Sequence, residues 1–366
     1  MNTQRIKQVL ALHFDSEQGS TFWLERQQYL GLDVRREIRS QEDFYRLGPM
    51  DISALRTRPI TDFIPRSLQQ NLAAFLLSET GGTTGDPCRR VFSQQEFESA
   101  FITPWLKAVS EHEFPHQGRW LFVGPGGPHI IDHSARSMAR SLESLEPFTV
   151  DCDVRWIKRQ AKGSMGFKLY LEHVLAQAMN IIGHQQIDTL FTTPPLLVAL
   201  ASLMRREERE RILGIHTGGM HLDQQTGTEL KKQFPHAVIL PGYGNSLFGV
   251  TFPVVWGRAG EEGSQGVVSP PVGLAQEDVF QVQDPALWLQ LAAIPESERA
   301  AQDLRHCVQP GQRGRVIVHR LDPSFLILNL CERDTALAVT CPDGETGLAC
   351  VEPLAFATPQ GRQGVY

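Results

Sequence analysis

The sequence predicts an α/β protein whose last third is β-rich. Between Arg119 and Leu240, short apolar runs alternate with longer helical segments, the pattern of a parallel sheet. After Gly249 that alternation gives way to strand-like runs separated by turns. Glycine-rich loops follow two of the apolar runs, at the carboxyl ends where parallel α/β folds place ligands.

The elements follow in order. The first part, 1–77, reads as helical segments broken by loops, and Leu68 to Leu77 carries apolar residues at helical spacing. Arg119 to Val123 is a short strand ending in the turn Gly124-Pro125-Gly126-Gly127. Ser134 to Leu145 follows as a helix, and Phe167 to Ile182 is a long amphipathic one. Asp188 to Thr192, Ile212 to Thr217 and Ala237 to Leu240 are strands, with helices Pro195 to Arg206 and His221 to Phe234 between them. These fall in a second part, 78–248. The third part, 249–366, holds five strands: Thr251 to Trp256, Asp278 to Val282, Gly314 to His319, Phe325 to Leu330 and Thr335 to Thr340. Asp284 to Arg305 is assigned to a helix or lid, and Pro353 to Tyr366 to a linker or tail.

Composition excludes several classes. At 366 residues, 41% hydrophobic and 21% charged, the chain buries a large core and is neither disordered nor fibrous. Its net charge of −6 gives no electrostatic reason to bind nucleic acid or an anionic membrane. The six cysteines include no C-x-x-C pair, so neither a zinc finger nor a thioredoxin-like motif is expected. No secretory signal opens the sequence, and Leu196 to Met204 is far shorter than the ~18 residues that span a membrane. A reduced, cytoplasmic protein is the expectation.

The most informative loop is Ser78-Glu79-Thr80-Gly81-Gly82-Thr83-Thr84-Gly85-Asp86-Pro87. Glycine lets backbone N–H groups approach an anion, and threonine adds hydroxyl donors. It is not a Walker A loop, because no lysine follows the last glycine. On chemistry alone, phosphate binding and a plain turn both stay open. Gly218-Gly219-Met220 and Pro241-Gly242-Tyr243-Gly244-Asn245-Ser246 each follow a strand. Tyr243, between two glycines, could offer an aromatic face to a purine. Each loop alone is as readily a tight turn.

Together the three loops resemble the adenylate-forming superfamily of acyl-CoA synthetases, peptide-synthetase adenylation domains and luciferase, nearest the phenylacetate-CoA ligase branch. Gly82, Thr83, Thr84, Gly85 and Pro87 match that family's phosphate loop, and Thr80 keeps a hydroxyl where it has serine. Tyr243-Gly244-Asn245-Ser246 looks like its Tyr-Gly-x-Thr-Glu motif. Gly311 to Val316 resembles its Gly-x-x-Gly-Glu strand, and Asp334 its ribose-binding aspartate. Thr192-Thr193-Pro194 and Arg333-Asp334 look like the phenylacetate-CoA ligase branch.

The resemblance implies a fold of two α/β subdomains plus a β-rich third part, and ATP-dependent activation of a carboxylate with AMP retained in an acyl adenylate. Thr80, Gly82, Thr83, Thr84, Gly85, Gly219, Tyr243, Gly244, Asn245, Ser246 and Asp334 would bind nucleotide. Phe191, Gly218, Gly219 and Gly242 would line a flat acyl slot. Truncated members of the branch imply a phenazine-type aromatic acid in antibiotic biosynthesis, passed as adenylate to a separate acceptor or reductase.

The departures imply limits. Asp86 replaces the loop lysine, and a carboxylate there repels triphosphate. Leu247 replaces the glutamate that helps hold Mg²⁺, and leucine cannot ligate a hard cation. Met220 replaces an acidic or small residue. The chain ends at Gly361-Arg362-Gln363-Gly364, which looks like the family hinge, so the small C-terminal domain with its lysine and the thioester half-reaction are expected to be absent.

Three other features lie outside these loops. His129 and His133 have helical metal spacing but no third ligand, so no metal site is assigned. Cys350 suggests the fatty acyl transfer of acyl-protein synthetases, with an ordinary strand-edge cysteine as the simpler reading. The mixed run Arg205 to Arg211 reads as a solvated helix end. A non-catalytic nucleotide or acyl-adenylate binder is the non-enzyme alternative. A homo-oligomer is compatible with the sequence.

Overall fold

A computed structural model describes residues 3–81, 85–161, 163–254, 278–297, 300 and 302–354. Five parallel strands form one sheet: β3 (Trp120–Gly124), β4 (Phe148–Asp151), β5 (Thr189–Thr192), β6 (Gly214–Thr217) and β7 (Val238–Pro241). Their order is β4-β3-β5-β6-β7, so the chain turns back over β3 after β4. That reversal creates a crevice at the carboxyl ends of the strands. Alternation along β3 explains the two faces. Leu121 and Val123 join one core with Leu190, Ile215 and Leu197, whereas Trp120 and Phe122 join another with Trp105, Met138 and Phe252.

A second sheet is antiparallel. Its strands are β8 (Tyr243–Asn245), β9 (Gly249–Pro253), β10 (Val279–Gln281), β11 (Leu287–Ala292), β12 (Arg313–Leu321), β13 (Leu326–Thr340) and β14 (Thr346–Pro353), in the order β11-β12-β13-β14-β10-β9-β8. Short helices of the N-terminal part bury Leu10, Trp23, Phe44 and Phe63 against Leu321, Phe325 and Leu328 of this sheet region. A hairpin of β1 (Phe75–Glu79) and β2 (Arg89–Ser93) flanks the glycine/threonine loop.

Three expectations are corrected. Leu68 to Leu77 is not one helix. Residues Arg66–Ala74 form 3₁₀ turns with no buried side chain, broken at non-helical Asn71, and β1 then begins at Phe75. A helix with no face to bury has little tertiary support. Asp284 to Arg305 is neither helix nor lid in its described residues: Leu287, Leu289 and Leu291 alternate inward on β11, pairing with β12. The two strands expected at Phe325 and Thr335 are one strand, β13. The charged step Cys331-Glu332-Arg333-Asp334 stays extended, with a pairing irregularity between Arg315 and Ile317 on β12. The strand part of Trp256, the loop residues 82–84 and the hinge-like 361–364 lie outside the described residues.

The run Arg205 to Arg211 forms the helix Arg206–Arg211, laced by Arg205–Glu208 and Arg206–Glu210 pairs. Among the described residues no helix is long and apolar enough to cross a membrane.

Candidate functional site

A cavity of about 620 Å³ lies between the two sheets. Its wall takes Pro125, Thr192, Gly218, Gly219 and Gly242 from the carboxyl ends of the parallel strands, Thr80 and Gly81 from the hairpin loop, and Glu332 and Asp334 from β13. Of the described residues singled out above, Thr80, Phe191, Gly218, Gly219, Gly242, Tyr243, Gly244, Asn245, Ser246 and Asp334 all line this one cavity. Gly85 sits beside it, exposed, at the end of its loop. Gly82, Thr83 and Thr84 fall outside the described residues.

The loop is anchored at its base. Thr80 N–H donates to the Cys88 carbonyl at 3.0 Å, and Thr80 Oγ1 accepts from Cys88 N–H at 2.9 Å. Glu79 receives Arg89 at 2.8 Å and Arg155 more closely, which holds its carboxyl below the usual range although burial opposes this.

The tyrosine turn is held from behind by buried arginines. Arg90 Nη1 donates to the Leu247 carbonyl at 2.6 Å, and Arg320 Nη1 to the Phe248 carbonyl at 2.8 Å. Asp322 receives both arginines, Arg90 at 2.8 Å and Arg320 at 2.6 Å, while Asp284 also receives Arg320 at 2.7 Å. All four side chains are buried. Two cations thus meet two carboxylates and several carbonyls, while Asp322 Oδ1 accepts no hydrogen bond and has Arg5 Nη2 3.8 Å away. Gly244 admits the turn's closeness: a Cβ there would strike the Gly249 carbonyl oxygen and stand 2.8 Å from Val250 Cα.

Tyr243 Oη donates to Asp334 Oδ2 at 3.3 Å, and Asn245 Nδ2 to Glu332 Oε1 at 3.0 Å. Burial, and then the charge of Asp334, push Glu332 up to about 7. Burial also raises Asp334, against the Tyr243 hydrogen bond. The tyrosine itself is raised by burial and by both carboxylates. This end of the cavity is therefore polar and acidic.

The other end is apolar. Phe101, Phe122, Phe191, Met138 and Val250 line it, with His216 among them. The His216 ring lies 4.2 Å from that of Phe191. Its Nδ1 faces the Leu240 carbonyl at 2.8 Å and so must carry the proton. Burial lowers His216 to about 4, which keeps it neutral.

The sequence reading missed Arg56, His216 and Glu332. Glu332 was within reach, because residues two apart on a strand share a face with one another and Asp334 was already named. His216 carried no signal beyond preceding Gly218, and Arg56 none, since it comes from a distant helix. His129 stands at the N-cap position of the helix Ile130–Ser141 without a side-chain capping bond, and the His133 ring packs on Phe97 at 4.6 Å. No group of three potential ligands gathers among the described residues. Leu247 is 4% exposed and belongs to the core, and its apolar side chain offers no ligand to a cation. Cys350 sits in β14 outside the cavity lining, its carbonyl accepting from Arg313.

No family model matches the chain, and no curated protein matches it. Solved structures do. An open conformation of 2-hydroxyisobutyryl-CoA ligase, in complex with 2-HIB-AMP and CoA, is 14% identical at TM-score 0.64, covering 95% of this chain and 72% of that one. The same ligase in its thioesterification state, with 2-HIB-AMP and CoA, is 16% identical at TM-score 0.66, covering 96% and 67%. Its postadenylation state with R3-HIB-AMP gives 14% and 0.65, covering 95% and 65%. The chain has the mixed α/β fold of these structures.

Proposed function

We propose that this chain activates a carboxylic acid by ATP-dependent adenylation in the cavity between the two sheets. The observation that carries the reading is the Tyr243–Asp334 pair at one end of a cavity whose wall also includes the glycine/threonine loop. The likeness to a ligase solved with its acyl adenylate supports the same reading.

In the reaction a carboxylate oxygen attacks the α-phosphorus of ATP. The acyl–O–P bond forms, the bond to the β-phosphate bridge breaks, and pyrophosphate leaves with the electron pair. Such a step needs alignment and charge stabilisation more than covalent help. Thr80 and its loop would hold the pyrophosphate side, and Ser246 would lie near the α-phosphate. Tyr243 would stack on adenine, and Asp334 would accept from the ribose hydroxyls. Mg²⁺ would accompany ATP, but the apolar Leu247 side chain offers it no ligand.

The acid is planar and aromatic, of phenazine type, in this reading. Gly218 leaves flat space beside Phe191, whereas Gly242 lets His216 and Val250 pack closely against the backbone, and aromatic faces favour offset or tilted partners. The adenylate then passes to an acceptor on a separate protein. The buried Leu247 favours one rival, a binder of nucleotide that makes no adenylate.

Ligand-dependent melting tests the proposal. ATP together with an aromatic acid is expected to raise Tm more than ATP alone, because ligands that bind only the folded state stabilise it. A shift with long-chain fatty acids instead would replace the aromatic class. No shift with any nucleotide would overturn the reading.

A further inference from the structure

A row of four side chains crosses the parallel sheet at the apolar end of the cavity. Strand pairing sets Phe122, Phe191, His216 and Leu240 side by side on β3, β5, β6 and β7. Paired residues of neighbouring strands share a face. Phe122, Phe191 and Leu240 belong to one core with Phe252 of β9, and the His216 ring lies 5.6 Å from that of Phe252. Two phenylalanines and a leucine suit such a row. An imidazole on an inner strand does not, because a buried polar atom without a partner costs free energy.

His216 uses one nitrogen inside the fold. Nδ1 donates to the Leu240 carbonyl at 2.8 Å, which leaves Nε2 as an acceptor. Among the described residues nothing donates to Nε2. Trp105, whose ring is 5.3 Å away, leaves its own Nε1 without a partner. The hydroxyl of Thr192, on the neighbouring strand, gives its proton to the Val123 carbonyl at 2.8 Å. His216 is 1% exposed yet borders the cavity, so Nε2 is the polar atom it can offer to a ligand there.

The imidazole is also held in place. The Phe191 ring packs on it at 4.2 Å and 45°. A Cβ on Gly242 would stand 2.9 Å from Cε1, the carbon between the two nitrogens, so bare backbone flanks the ring. On the Phe191 side, a Cβ on Gly218 would meet Phe191 at 3.8 Å and nothing nearer, which leaves room for a flat ligand. An acceptor fixed on a strand among aromatic rings reads one position on such a ligand.

We propose that His216 Nε2 accepts a hydrogen bond from a hydroxyl or amino group on the ring of the acid, so that the substrate is a hydroxy- or amino-substituted aromatic carboxylic acid. This rests on the adenylation reading and deepens it at the acyl end. His216 is then a specificity residue and takes no part in the transfer itself. An acid that lacks the donor leaves the lone pair buried and unpaired, and the site rejects it for that reason. A methoxy group at the same position fills the space but donates nothing.

The test is acid-dependent exchange of labelled pyrophosphate into ATP by the full chain. The acids are benzoic, naphthoic and phenazine carboxylic acids, each unsubstituted or carrying a hydroxyl, amino or methoxy group at matched positions. One hydroxy or amino isomer is expected to exceed both its unsubstituted and its methoxy counterpart in kcat/KM by about 10- to 100-fold. In His216→Phe that ratio should fall to about one; the comparison is made within one variant, so a general loss cancels. His216→Gln keeps an acceptor and should recover part of the preference. A wild type that takes methoxy acids as well as their hydroxy and amino counterparts would overturn the proposal, whether or not the variants fold, and would leave adenylation standing. A preference that survives His216→Phe would overturn it too. Exchange with no acid at all would remove the adenylation reading first, and His216 with it.

Discussion

The Tyr243 hydroxyl donates to the Asp334 carboxylate at 3.3 Å, although their strands, β8 and β13, stand at positions separated by β14, β10 and β9 in the antiparallel sheet. A flat sheet could not bring them together, since neighbouring strands lie about 4.8 Å apart. The sheet curls, and the cavity is the space its curl encloses against the parallel sheet. The pair thus reports both the sheet's shape and the proposed nucleotide end.

Asp334→Asn is expected to weaken AMP and ATP alike by about 10-fold, through loss of a charged acceptor. Tyr243→Phe keeps the ring contacts with Phe248 and Phe280 and should change affinity far less than Tyr243→Ala. Calorimetry with AMP checks this. Equal affinities in all variants would remove both residues from the site.

Two neighbouring glycines should separate the two ends of the cavity. A methyl on Gly242 would press His216 Cε1 and Val250 Cγ2, both at 2.9 Å, which are side-chain atoms of the apolar end. Gly242→Ala is therefore expected to weaken acid binding and spare AMP. A methyl on Gly244 meets backbone, which cannot yield. Gly244→Ala should lower Tm by several degrees and abolish nucleotide binding. Thermal melting and AMP titration of the two variants distinguish these outcomes.

Asp322→Asn leaves Arg90 and Arg320 with one buried carboxylate fewer. Removing one member of such a cluster costs about 3–5 kcal/mol, because the remaining charges stay buried. Urea unfolding should show the loss with an unchanged slope. The same variant should slacken the Leu247 and Phe248 carbonyls and so weaken AMP binding.

Stability should fall as pH is lowered below about 6.5. Burial lowers His13 to about 4, His216 to about 4 and His319 to about 3. Between those values and the ordinary 6.5, the unfolded chain binds protons that the folded chain does not, so acid favours unfolding. Each imidazole contributes up to about 1.4 kcal/mol per pH unit. Glu332 acts oppositely. Its raised value, about 7, gives stability that is present below 4.5 and lost as pH rises through 7. Burial lowers His129 and His133 as well, and the five lowered imidazoles outweigh the two raised carboxylates, Glu332 and Asp334, so urea midpoints should drop from pH 7 to pH 5. Midpoints that rise on acidification would contradict this.

Much of the parallel sheet was legible because β3, β6 and β7 are buried apolar runs that end at glycine, and those glycines mark strand ends that form the cavity, whereas β4, only partly buried and followed by Cys152-Asp153, was not expected. The loops 218–220 and 241–246 announced themselves through glycine for the same reason. What was not legible depends on distant contacts. The β1–β2 hairpin pairs Phe75 with Ser93, and nothing local at Leu68 to Leu77 signals that partner. The charged step at 331–334 looked like a turn because polar residues usually leave a sheet. Here they face a cavity, so the strand continues through them. Arg56 reaches the site from a helix more than twenty residues before the loop, and only packing places it there.

The most direct test of the central claim is acid-dependent exchange of labelled pyrophosphate into ATP, with mass detection of the acyl adenylate. The account predicts exchange that requires an acid, is supported by planar aromatic carboxylates, and fails in Asp334→Asn. ATP binding without exchange for any acid would contradict adenylation and leave a nucleotide-binding protein.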